Sequence, residues 1–151
     1  MKPSDLPDEL LVLIGAIAAD WAVIEQEILL HTVHMKRSGG DPGTDWRAGS
    51  FKAVRTMWLS TGREHLPADI VAEFEDLYDR ICRRFDARGM ALHGNWQQTG
   101  ATSFEVTWWA LKEKELIRSS SHTELSEIRE QADFTRQIRD RLVAFLRANH
   151  R

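Results

Sequence analysis

The chain has a single thiol, Cys82, in 151 residues. That excludes an internal disulfide framework and a zinc cage built on cysteines, and a reducing cytoplasm is the simplest setting. An excess of positive charge is also lacking: Lys+Arg number 20 against Asp+Glu 23, a formal net charge of -3. Proteins that rely on nonspecific nucleic-acid binding are normally basic, so any nucleic-acid contact here has to be local. No apolar stretch is long enough to span a bilayer. Leu10–Ala19 is unbroken apolar, but a spanning helix takes about 20 such residues. The segment before it, MKPSDLPDE, is acidic on balance, the wrong sign for the leader of a signal peptide. No membrane association is expected. The sequence holds no glycine-rich phosphate loop, serine triad, Cys/His pair, internal repeat or low-complexity tract. His31 and His34 stand three apart on one predicted helix, yet no third ligand accompanies them, so neither a metal site nor a cofactor is expected.

With 42% hydrophobic and 28% charged residues, the chain reads as one soluble globular domain spanning 1–151. Helical periodicity dominates. Leu10, Ile14, Ile17, Trp21, Ile24 and Ile28 alternate by fours and threes, which predicts a first helix from about Pro7 to Met35, central to a bundle in its apolar first half. The run Arg37–Gly43, with its glycines and proline, ends it. A shorter helix over Ser50–Arg63 follows, capped by Ser50. A third opens near Pro67 with the seam Ile70, Phe74, Leu77, Ile81, Phe85, and is read as continuous to about His93. Phe104, Val106 and Trp108 alternate with polar residues as in a half-buried strand, and Glu115–Arg118 is its candidate partner across a turn near Lys112–Lys114. Ser121-His122-Thr123-Glu124 has the form of a capping box and opens a last helix to about Asn149. The expected fold is all-α: an antiparallel four-helix bundle with a small β-hairpin or irregular insertion before the last helix.

The chemistry concentrates in Arg80–Trp96, RICRRFDARGMALHGNW. Arg88 and His93 fall where the seam calls for core residues, and Gly94 follows at once. Cations on a core-facing seam cost several kcal/mol unless paired, which singles the pair out. Arg80, Arg84 and Arg88 also recur at steps of four, either as a phosphate-binding stripe or as ordinary ion pairs such as Asp76 with Arg80.

The string Arg88, His93, Gly94, Trp96 resembles the mark of the HEPN-type helical domains of prokaryotic toxins and defence proteins: an arginine, four to six residues, then a histidine at the end of the third bundle helix. Gly89 departs from the pattern, where a polar residue often follows the arginine. The resemblance implies a metal-independent endoribonuclease acting as a homodimer, a toxin or defence effector with an antitoxin or defence partner protein. Arg88 and His93 would be catalytic, Glu25 and Asn95 supporting, and Arg84 and Trp96 would bind the RNA. Histidine exchanges protons at neutral pH, and arginine holds a phosphate bidentately. The same residues admit another reading, in which His93 caps a helix end, Arg88 pairs with a carboxylate, and the domain is a non-catalytic interaction or nucleotide-binding module.

Overall fold

A computed structural model describes residues 5–40 and 50–149. Part of the glycine-proline run that ends the first helix, and Trp46, lie outside the described residues. The elements are α1 (Asp8–Ser38), α2 (Phe51–His65), α3 (Ala68–Arg83), α4 (Phe85–His93), β1 (Asn95–Gln98), β2 (Ser103–Lys112), β3 (Glu115–Glu124) and α5 (Leu125–Asn149). They divide into two compact units. The first joins Met1–Trp21 to Arg84–Gln137, and the second joins Ala22–Arg83 to Ile138–Arg151.

The expectation of an all-α bundle is corrected. The three strands form an antiparallel sheet in the order β1-β2-β3 and hold 18% of the described residues, too many for a decorated bundle. Two local features account for the difference. The serine-rich stretch Ser119-Ser120-Ser121 is strand rather than loop and cap, because it pairs residue for residue with Val106, Thr107 and Trp108 of β2. Small hydroxyl residues have little strand preference alone and take it from a cross-strand neighbour. The expected single third helix is also two. It breaks at Arg84, whose φ of -99° and ψ of 6° leave the helical region, and the break resets the phase of the seam. Ile81 is fully buried before it and Ala87 is the buried residue after it, while Leu92, which the unbroken seam would bury, is 41% exposed.

In the second unit the core is built from Ile24, Ile28, Trp58, Phe74, Leu77, Ile81 and Leu142, all fully buried. Ser50 caps α2 as expected, its hydroxyl accepting from the Ala53 N–H at 3.2 Å. The edge of Trp58 meets Phe74 with ring centroids 4.5 Å apart, and its indole N–H donates to His31 Nδ1 at 2.9 Å. An indole N–H can only donate, so that nitrogen of His31 carries no proton and is committed to the core. Asp76 accepts from Arg80 at 2.9 Å and lies 3.0 Å from Arg141.

In the first unit α1 buries Leu10, Ile17 and Trp21, but its apolar run is not buried all round: Val12 is 69% exposed. Glu9 pairs with Arg129 of α5. β2 presents Phe104 and Val106 to the core, both fully buried, and turns to β3 through Glu113 and Lys114. Both turn residues have positive φ, 49° and 67°, the left-handed pair that a two-residue hairpin turn of the primed kind requires. α5 begins at Leu125, four residues after the expected cap, Ser121. Its start is held by Glu127, whose carboxylate accepts from the Glu124 N–H at 2.9 Å. That is the reach-back half of a capping box placed one turn later than its sequence signature suggested.

Glu124 closes the sheet onto this helix. Its carboxylate accepts from Ser103 Oγ at 2.7 Å and Thr102 Oγ1 at 3.2 Å, and lies 3.2 Å from His122 Nε2. The Ser103 hydroxyl first, then His122, hold its carboxyl below the ordinary value of 4.5. A depressed folded-state pKa contributes stability above the ordinary value, and that contribution is lost as pH falls through and below it. Thermal unfolding of Glu124→Gln is therefore expected to show a shallower loss of Tm than the native chain between about pH 5 and pH 2. Equal slopes would show that these contacts do not favour the charged form.

Candidate functional site

α4 and the strand after it bring together five of the six residues that the sequence singles out. Arg84 stands at the helix start, Arg88 in its middle, His93 as its last residue, and Asn95 and Trp96 open β1. Glu25 lies on α1 in the second unit.

The helix end is fixed by a close turn. The Gly94 N–H donates to the Met90 carbonyl at 3.0 Å, and Trp96 Nε1 donates to the same oxygen at 3.3 Å. Two donors on one carbonyl satisfy a helix end that would otherwise be open. The turn demands glycine. A Cβ on residue 94 would stand 2.2 Å from the Met90 oxygen and 2.8 Å from Val106 Cγ1, nearer than such atoms approach. Trp96 is wedged beside it, its ring edge-on to Phe104 at 6.3 Å between centroids. The Trp96 indole is thus a structural prop at the helix end, with its N–H already used.

Gly89 lies against a tryptophan of the sheet. A Cβ there would lie 3.4 Å from Nε1 and 3.5 Å from Cδ1 of Trp108, ordinary contact distances, so the indole packs directly on this face of α4.

Arg84 is engaged in packing. Its guanidinium carbon lies 4.1 Å above the centre of the Phe134 ring, with a long contact of 3.5 Å to Gln131 Oε1. Arg88 is half-buried, its guanidinium carbon 5.4 Å from the centre of the Phe85 ring. His93 and Asn95 are exposed. The expectation that both cationic residues sit on a core-facing seam is therefore corrected for His93. The break at Arg84 turns it outward, and its imidazole meets solvent without a burial penalty. Residues five apart on a helix are separated by about 140° around its axis, so Arg88 and His93 of one α4 point in different directions.

The outer face of the sheet carries an exposed aromatic. Trp108 and Trp109 take opposite faces of β2, as the alternation requires. Trp108 turns toward α4 and Trp109 is 55% exposed on the solvent face. Arg118 of β3 is its direct cross-strand partner. The alternation of Phe104, Val106 and Trp108 on one face already left Trp109 on the other, as the structure has it.

Among the described residues, no group of three or more His, Cys, Asp or Glu is placed to hold a metal ion, and no helix is long and apolar enough to cross a membrane. Neither a protein-family model, nor a curated protein, nor a solved structure matches the chain.

Proposed function

We propose that the chain is a metal-independent endoribonuclease of the HEPN type, working as a cytoplasmic homodimer and acting as a toxin or defence effector beside an antitoxin or defence partner protein. The observation that carries the reading is the exposed imidazole of His93 on the last residue of α4, anchored by Gly94 and Trp96, with the half-buried guanidinium of Arg88 on the same short helix. His93 takes the proton from a ribose 2′-hydroxyl, and the freed oxygen attacks the adjacent phosphorus. The bond to the 5′-oxygen breaks, and that oxygen leaves with the proton that the His93 imidazolium gives back. Arg88 stabilises the charge gathered on the phosphoryl oxygens. The products are a 2′,3′-cyclic phosphate and a 5′-hydroxyl. Because Arg88 and His93 of one helix diverge, a phosphate held by both requires a second α4 contributed across a twofold axis.

The test is RNA cleavage with excess chelator present, with the product ends analysed. Cleavage that leaves 2′,3′-cyclic phosphates supports the reading. No cleavage of varied RNAs, at protein concentrations that keep a dimer, would move the assignment to a non-catalytic interaction or nucleotide-binding module. The packing of Arg84 on Phe134 and of Arg88 near Phe85 favours that second reading, since it gives these cations a structural use.

A further inference from the structure

The solvent face of the sheet carries a set of groups that neither α4 nor the core uses. Trp109 is 55% exposed. Arg118 stands directly across from it on β3, and Thr107, Asn95 and Ser120 form the next row, one residue from each strand. Because side chains two apart on a strand share a face, Trp109, Arg118 and this polar row all project to the same side. Asn95 is only two residues beyond His93. With strands about 4.8 Å apart and a rise of about 3.4 Å per residue, the Trp109 Cα lies about 8 Å from that of Asn95, roughly the length of one nucleotide.

We infer that this face is a binding platform for single-stranded RNA, with one base stacked on the Trp109 indole. Every base offers a π-face, and stacking on an exposed aromatic is tolerant of sequence. The guanidinium of Arg118, opposite the ring, suits both a base plane and the phosphate beside it. Asn95 and Thr107 offer an amide and a hydroxyl to base edges and the ribose. The Ser120 hydroxyl is given to Glu105 at 3.0 Å, and the carboxylates of that face, Glu105 and Glu124, lie in the rows farther from Trp109 and Arg118. A second copy of the chain is the less suitable occupant. The exposed apolar side chains on this face are Trp109, Leu111 and Leu116, a small patch beside a polar row. A stable protein interface takes about 800 Å² from each partner. The inference rests on the ribonuclease reading for its substrate and adds where that substrate is held.

The experiment uses the full chain and a ten-nucleotide single-stranded RNA, 2′-O-methylated throughout so that it has no nucleophile and is bound without being cut. Fluorescence anisotropy is followed across a salt series. Trp109→Ala is expected to weaken binding about ten- to a hundredfold, and Trp109→Phe to keep most of the affinity. Arg118→Gln is expected to weaken binding and lower the slope of log K against log salt by about one. The ring is exposed, so circular dichroism of Trp109→Ala should match the native chain. Unchanged affinity in Trp109→Ala, or no binding by the native chain, overturns the platform. So does loss of self-association in Trp109→Ala without RNA binding, which would assign the face to a second copy. The two proposals fail separately. Binding through Trp109 without cleavage of ordinary RNA removes the ribonuclease and keeps the platform, whereas cleavage indifferent to Trp109 does the reverse.

Discussion

His93→Ala is expected to lower the rate of RNA cleavage by about 10²- to 10⁴-fold, the range in which a positioned acid–base group contributes, while leaving the fold intact. The two halves of this expectation have different sources. The loss of rate follows from removing the one exposed imidazole at the end of α4. The intact fold follows from what holds that end. The Met90 carbonyl is satisfied by Gly94 and Trp96, and His93 itself is exposed. Exposed substitutions away from such contacts usually change stability by less than about 0.5 kcal/mol. A thermal melt run beside the cleavage assay separates the two. A variant that melts like the native chain and no longer cleaves places His93 in the chemistry. A variant that cleaves at the native rate would remove the residue from it, and with it the ribonuclease reading.

Trp58→Ala is expected to destabilise the chain by about 4 kcal/mol, the usual cost of emptying a buried aromatic site. For a chain of this size that lowers Tm by roughly 10 °C or more. The side chain is fully buried, its ring packs edge-on against Phe74, and its N–H is the donor for His31 Nδ1. Deleting it opens a cavity and also takes the donor away from a buried acceptor, which costs about 1–3 kcal/mol by itself. Trp58→Phe divides the two effects. It keeps much of the ring and removes the donor, so its loss should be clearly smaller than that of the alanine variant. If the phenylalanine variant is as unstable as the alanine one, the hydrogen bond and not the packing dominates. If Trp58→Ala melts with the native chain, the core assignment of α2 is wrong.

The helices were legible because their burial is periodic. Of the α1 seam predicted from Leu10, Ile14, Ile17, Trp21, Ile24 and Ile28, all but the half-buried Ile14 are buried in the structure, and Ser50 announces α2 by its own side chain. The hairpin was legible up to Arg118, where alternation and a charged turn mark it. Beyond that, Ser119-Ser120-Ser121 carries no apolar residue to alternate, and its strand state is imposed by β2. The break at Arg84 was equally hidden, since no glycine or proline stands there and the apolar spacing runs on undisturbed. The candidate pair was singled out by its place on the apolar seam, but the direction His93 faces was not legible, because that depends on where the helix restarts. Gly89 read as a departure from a pattern. The Trp108 indole that packs on it is brought from a strand that comes later in the chain.

The adjacency of Trp108 and Trp109 restricts how this region can change length. A single residue inserted or deleted between Phe104 and Trp108 would exchange the faces of everything after it. It would drive Trp109 against Gly89 and expose the indole that packs there. Changes in pairs, one residue from each strand at the Glu113-Lys114 end, would leave every neighbour in place. Relatives of this chain should therefore vary in hairpin length by matched extension of β2 and β3 at the tip, and keep the number of residues between Gly94 and Trp109 constant.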